Sequence, residues 1–167
     1  MMDRISTHLW FDDQAEQAAG FYCELFPDSR IDDVMRSPSA ASSDGPDDRR
    51  GNVLQVEFTL AGRSFLALNG GPGVPFTEAI SLSIDCEDQA EVDRYWAALS
   101  AHPENERCGW LKDRFGLSWQ VIPRALPALL GDPDRARARR AMAAMMGMKK
   151  IDVAALEAAA DDEPAGS

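Results

Sequence analysis

One repeat constrains this chain more than any other feature. Asp13-Gln14-Ala15-Glu16 returns as Asp88-Gln89-Ala90-Glu91, 75 positions further on. Each copy follows an apolar run that reads as a strand, and each opens a helical pattern. Ala15, Ala18, Ala19, Tyr22, Leu25 and Phe26 make the first helical stripe; Val92, Tyr95, Trp96 and Leu99 make the second. Aspartate followed three residues later by glutamate has the spacing of a capping box, so the reading starts one helix after Asp12 or Asp13 and the other near Asp88.

Around the repeat the order is strand, helix, strand, hairpin. Ile5 to Phe11 reads as a strand, Pro27 ends the first helix, and Ile31 to Arg36 is a short second strand. Residues 37 to 52 are polar and rich in Ser, Pro and Gly, the composition of a long mobile loop. Val53 to Leu60 and Phe65 to Leu68 flank Ala61-Gly62-Arg63 as a hairpin, and Asn69-Gly70-Gly71-Pro72-Gly73 breaks the chain. The second half offers a strand over Ala79 to Cys86, a helix, and a hairpin of Arg107 to Leu111 with Leu117 to Ile122. The expectation is an α+β fold of one compact domain: a βαβββ module over 1–74, a second over 75–123, and a helical extension over 124–160. Met142, Met145, Met146 and Met148 read there as a core or dimer stripe.

Charge excludes some roles. Seventeen basic residues against 28 acidic ones give a formal charge of -11, which repels phosphate backbones and anionic membranes. Arg135, Arg137, Arg139 and Arg140 cluster, but in a helical pattern that reads as a solvated face. The first residues have no basic stretch leading into an apolar core, and no apolar run reaches the ~20 residues of a membrane span. Cys23, Cys86 and Cys108 are widely spaced with no CxxC, which fits buried thiols in a reducing cytoplasm.

Four stretches carry a family resemblance: THLWFDDQAEQAAGFYCELFPDSRI, VLQVEFTLAGRSFLALNGGP, FTEAISLSIDCEDQAEVDRYWAALS and CGWLKDRFGLSWQVIPRAL, continued by AMMGMKKIDVAALEAA. The chain resembles the PhnB-like branch of the vicinal-oxygen-chelate superfamily, in the group labelled 3-demethylubiquinone-9 3-methyltransferase. The resemblance covers nearly the whole chain apart from the 37 to 52 loop and the last few residues. It implies paired βαβββ modules forming a cup-shaped mixed sheet, and a homodimer. Some relatives hold a divalent metal in the cup, whereas others bind a ligand without one.

The resemblance also implies a site. His8 matches the first metal-ligand position and Glu57 the second. Ala79 stands where metalloenzymes of the group usually have His, and Gln120 where they usually have Glu. The expected cofactor is therefore none or a divalent metal held by His8, Glu57 and Gln120. A His8–Glu57 pair could also transfer protons without metal, because histidine titrates near neutrality and a partly buried carboxylate can be tuned. Trp10, Trp119 and Gln120 are candidate ligand-binding residues, with Phe11, Phe58, Phe65 and Trp110 as further flat surface. No S-adenosylmethionine motif appears: the first strand runs into WFDDQAEQ without glycine, and the Asn69–Gly73 stretch precedes a strand rather than a helix.

Two functional classes follow. One is an enzyme acting on a small oxygenated or aromatic metabolite through His8 and Glu57. The other is a metal-free binding or sequestration protein, for which the negative charge suits a cationic ligand. In a third reading the methionine-rich tail is a dimer surface.

Overall fold

In the computed structural model the described residues are 5–37 and 52–162. Strand β1 (Thr7–Phe11) leads into helix α1 (Ala15–Leu25), followed by β2 (Arg30–Arg36), β3 (Val53–Leu60) and β4 (Arg63–Asn69). These four strands form one sheet in the order β1-β4-β3-β2, with β1 parallel to β4 and the other neighbours antiparallel. The expected first module is thus a βαβββ unit. The stretch expected as a loop lies, except for its two end residues, outside the described residues; those ends are joined by the Ser37 N–H donating to Asn52 O at 2.9 Å.

Period-two alternation sets the two faces of this sheet. Leu9 and Phe11, Val56 and Phe58, and Phe65 and Ala67 are buried, as are Ala15, Ala18, Ala19 and Tyr22 of α1. Small alanines on the helix let it lie close to the strands, and each large buried side chain contributes about 1.5–3 kcal/mol. The β3–β4 turn places Ala61 and Gly62 at φ 47° and 77°, the two left-handed positions that a two-residue hairpin needs.

The chain divides into two compact units, Met1–Phe76 and Thr77–Ser167, and the second carries β5 (Leu82–Cys86) and α2 (Gln89–Leu99), then β6 (Trp110–Lys112) and β7 (Ser118–Pro123). Its sheet runs β5-β7-β6, with β5 parallel to β7 and β6 antiparallel to it. The α+β class is as expected, and β1 maps onto β5 at the same 75-residue offset. Two details differ from the sequence reading. β5 starts at Leu82 rather than Ala79, because pairing with β7 begins at Leu82–Trp119. The described residues also show three strands here where a βαβββ module has four. In place of a counterpart to β2, a short 3-10 turn (Pro103–Asn105) leads into a bend at Cys108 and Gly109, whose φ values are 49° and 84°.

The repeated tetrapeptide is used in two ways. Asp88 caps α2, accepting from the Glu91 N–H at 2.9 Å, while Glu91 accepts from the Glu87 N–H at 2.9 Å. In α1 the helix starts one residue later within the motif, and Asp13 is not its cap. Asn69 at the end of β4 takes that role: its Oδ1 accepts from the Ala15 N–H at 2.8 Å, and its amide donates to Val53 O. Glu16 instead pairs with Arg36 at 2.9 Å.

The helical extension forms α3 (Ala125–Leu130), α4 (Arg135–Met146) and α5 (Val153–Asp161). Leu126, Leu129, Ala141, Ile151, Leu156 and Ala160 make its core, with Met145 and Met148 packed against it and Met142 and Met146 exposed. Asp134 and Asp152 cap α4 and α5. The extension is tied to the rest of its unit through Gln89, which accepts from Val153 N–H and donates to Ile151 O. Met148 and Lys149 carbonyls accept from the Cys108 and Gly109 N–H groups at 2.7 and 2.8 Å. No described helix is long and apolar enough to cross a membrane.

Candidate functional site

The face of the first sheet opposite α1 carries the sequence candidates. His8 pairs with Leu66, Leu66 with Glu57, and Glu57 with Asp33, so one row crosses all four strands. The next row is Trp10, Leu68, Gln55 and Met35. Residues in register share a face, and Leu9, Ala67 and Val56 between the rows point the other way. Glu57 therefore projects away from both Val56 and Phe58, as its position between them requires.

The structure brings His8 and Glu57 onto one row but not into contact. Strands lie roughly 4.8 Å apart, so with β4 between them the two backbones are separated by about 10 Å. Leu66, buried, forms the floor between them. His8 Nε2 lies 3.0 Å from Ser6 Oγ, and no hydrogen bond joins it to Glu57 among the described residues. Glu57 is half-buried and lines a cavity of about 190 Å3 together with Ser6, Arg30, Asp32, Thr59 and Ser64. Asp32 sits where a bulge interrupts the β2 register, pairing with Arg30 at 2.7 Å and accepting from Thr59 Oγ1 at 2.7 Å.

Trp10 is held as a fixed wall beside this row. Its indole N–H donates to Gly71 O at 3.0 Å, and its ring lies flat over Gly70. A Cβ at Gly70 would fall 2.1 Å from Trp10 Cζ2, so only glycine fits under the ring. The glycine stretch singled out in the sequence therefore serves to seat an aromatic side chain. It follows β4 and leads through irregular residues into β5, so it does not open a helix of the kind that cradles a dinucleotide.

The remaining candidates lie in the second unit. Gln120 pairs with Ser83 on one side and Trp110 on the other, and its amide donates to Ser81 Oγ at 2.8 Å. Trp119 faces the opposite way and is 2% exposed. Its indole N–H donates to Asp113 Oδ2 at 2.8 Å, inside the core, which gives it a structural place rather than a surface toward ligand. Ala79 lies in an exposed turn before β5, and the residue in the slot of His8 is Ser83. By the same correspondence Gln120 matches Leu66, and Trp110 matches Glu57.

These positions test the expected divalent metal. A hard or borderline cation wants several N/O donors converging on one point. The first-unit row offers one imidazole and one carboxylate with a leucine between them, and among the described residues no group of three His, Cys, Asp or Glu side chains could hold a metal. The first-unit row by itself does not supply the donors that such a cation needs.

The family model described as 3-demethylubiquinone-9 3-methyltransferase matches residues 3–122, ending before α3. The stretch of resemblance is thus shorter than expected at its C-terminal end. Among solved structures, the chain is similar to a putative 3-demethylubiquinone-9 3-methyltransferase, PhnB protein, from Bacillus cereus. The two are 32% identical over 72% of this chain and 99% of that one, with a TM-score of 0.58. A further match, to protein PA1353 from Pseudomonas aeruginosa, is 19% identical over 72% of this chain and 97% of that one, with a TM-score of 0.50; it supports the fold alone. No curated protein matches the chain.

Proposed function

Because the chain belongs to the 3-demethylubiquinone-9 3-methyltransferase family, we propose that it takes up a small molecule on the face of its first sheet away from α1 and acts on it there through His8 and Glu57. The observation that carries this reading is the row His8–Leu66–Glu57, with Trp10 locked beside it. A molecule resting on Leu66 and Leu68 against the indole would meet an imidazole at one end and a carboxylate at the other. That spacing suits proton removal and delivery at two ends of one ligand better than direct transfer between the two side chains. Methyl transfer from S-adenosylmethionine is not part of this reading, since among the described residues no glycine-rich strand-to-helix turn is available for such a cofactor. Assembly as a homodimer belongs to the same proposal.

A second reading is binding without turnover. Asp33 continues the row beyond Glu57, so two carboxylates face one side of the sheet in a chain of net charge -11. That arrangement favours a cationic or amine-bearing aromatic ligand.

Native mass spectrometry of protein purified without chelator or immobilised nickel reports subunit number and any retained ligand. A thermal-shift panel of aromatic and cationic small molecules, followed by titration of the hits, tests the site. Glu57→Gln and Trp10→Ala should each weaken a hit by about tenfold, roughly 1.4 kcal/mol. His8→Ala should abolish turnover while leaving binding measurable if the first reading holds. Unchanged affinity in both Glu57→Gln and Trp10→Ala would overturn the proposed location.

A further inference from the structure

The second unit contains a cavity that neither the repeat nor the family resemblance brings to attention. Ser118, the first residue of β7, is in register with Lys112 on β6. It is 1% exposed, and its hydroxyl has no hydrogen-bond partner among the described residues. Leaving such a group unmet costs about 1–3 kcal/mol, which a well-packed strand would avoid by carrying alanine there. The side chain lines a cavity of about 120 Å3 together with Glu78, Glu104, Arg107, Trp110 and Lys112. One water needs only roughly 15 Å3 of such space, so the cavity has room for more than a single bridging water.

The charges in the lining are not equally free. Lys112 Nζ pairs with Glu78 at 3.0 Å, and the ammonium holds the Glu78 carboxyl below its usual range. Glu104 lies 3.3 Å from His102 Nδ1. Both carboxylates are thus partnered. Arg107 adds its charge to the hold on Glu78 but makes no ion pair or side-chain hydrogen bond of its own among the described residues, and an ammonium bound to one carboxylate keeps two further donors. What remains available is one guanidinium fork, part of one ammonium and one buried hydroxyl, beside an indole wall. Two carboxylates in the same lining oppose a dianion, so a monoanion is favoured over phosphate.

We propose that this cavity binds a small carboxylate, its oxygens held by Arg107 and Lys112 and by the Ser118 hydroxyl, with Trp110 covering its short carbon chain. The guanidinium offers the planar two-donor geometry that carboxylates match. The site lies wholly in the second unit and does not depend on the reading of His8 and Glu57.

Titration of the 15N-labelled full chain with acetate and with pyruvate, at constant ionic strength, tests it by nuclear magnetic resonance. Acetamide serves as the uncharged control. The Trp110 indole and Ser118 amide signals should shift saturably with at least one of the two carboxylates and not with acetamide. Arg107→Gln, at an exposed position, and Ser118→Ala, which removes one oxygen, should each weaken the affinity by about tenfold. Shifts that do not saturate with either carboxylate overturn the site. So do equal shifts with acetamide, or an affinity kept within about twofold in a folded Ser118→Ala protein.

Discussion

Replacing Asp113 should cost more stability than any other single polar substitution proposed for the second unit. The side chain is fully buried, and one carboxylate serves at least three donors. Oδ1 accepts from the Phe115 N–H at 2.8 Å and from the Leu117 N–H at 3.0 Å, while Oδ2 accepts from the Trp119 indole at 2.8 Å. Asp113→Ala strands the Leu117 and Trp119 donors in the core, and the partly buried Phe115 donor can recruit water. At about 1–3 kcal/mol for each stranded donor, plus the void left by the carboxylate, the expected loss is about 3–5 kcal/mol. Asp113→Asn keeps an oxygen for the two backbone donors but turns an NH2 toward the indole N–H, so about 1–3 kcal/mol should be lost. Trp119→Phe removes that opposing donor. In urea unfolding followed by fluorescence and circular dichroism, the double variant Asp113→Asn/Trp119→Phe should be more stable than the sum of the singles, with a coupling of about 1 kcal/mol or more. A loss under about 1 kcal/mol in Asp113→Ala, or single losses that add within about 0.5 kcal/mol, would refute the account.

Gly70→Ala drives a methyl into the Trp10 ring and should cost about 1–3 kcal/mol or expel the indole from its seat; a tryptophan emission maximum and melting temperature both unchanged would contradict this. Burial pushes the Cys86 thiol up to about 12, which leaves roughly one part in ten thousand ionised at pH 8, so in the folded protein an aromatic disulfide reagent should modify Cys108 well before Cys86. Mass mapping of the modified peptides checks that order. Arg137 bridges Asp132 and Asp161, and its hydrogen bond holds the Asp132 carboxyl below its ordinary range. A depressed carboxyl contributes stability above its unfolded value and loses it as the pH falls through the folded one, so the start of α4 should loosen below about pH 4. Hydrogen exchange of the first α4 amides should show that loss, and Arg137→Gln should remove its pH dependence.

Much of the framework was legible because it depends on local rules. The alanine-rich stripe of α1, Pro27 after it and the Ala61-Gly62 turn all rest on neighbours in sequence. The repeat offset carried β1 onto β5 without a shift. Where the reading failed, partners far along the chain had decided. Apolar residues at 79, 80, 82, 84 and 86 suggested a longer strand, but β7 begins at Ser118 and offers Ala79 nothing to pair with. Asp13 looked like a cap, yet Asn69, 54 residues from Ala15, reaches the helix start first. Trp119 is a different case: as the neighbour of Gln120 on a strand it must face the other way, so its inward orientation was readable from alternation alone. The unpaired hydroxyl of Ser118 has no sequence signal, since it depends on what β6 and the Glu78 turn leave beside it.

The matched rows of the two units explain why a duplicated scaffold need not duplicate its chemistry. His8, Leu66 and Glu57 in one sheet occupy the slots of Ser83, Gln120 and Trp110 in the other. An apolar centre between two titratable ends becomes an amide between a hydroxyl and an indole. A metal centre drawing equally on both copies would need imidazole or carboxylate in matched slots, and the second row supplies neither. Only the first row can exchange protons or meet a cation with charge. The second row can offer neutral hydrogen bonds and a flat surface, while Lys112 and Arg107, at either side of β6, bring positive charge to the cavity beside it. Each unit therefore has its own candidate ligand chemistry, cationic or proton-exchanging in the first and anionic in the second, on sheets whose three matched strands pair alike.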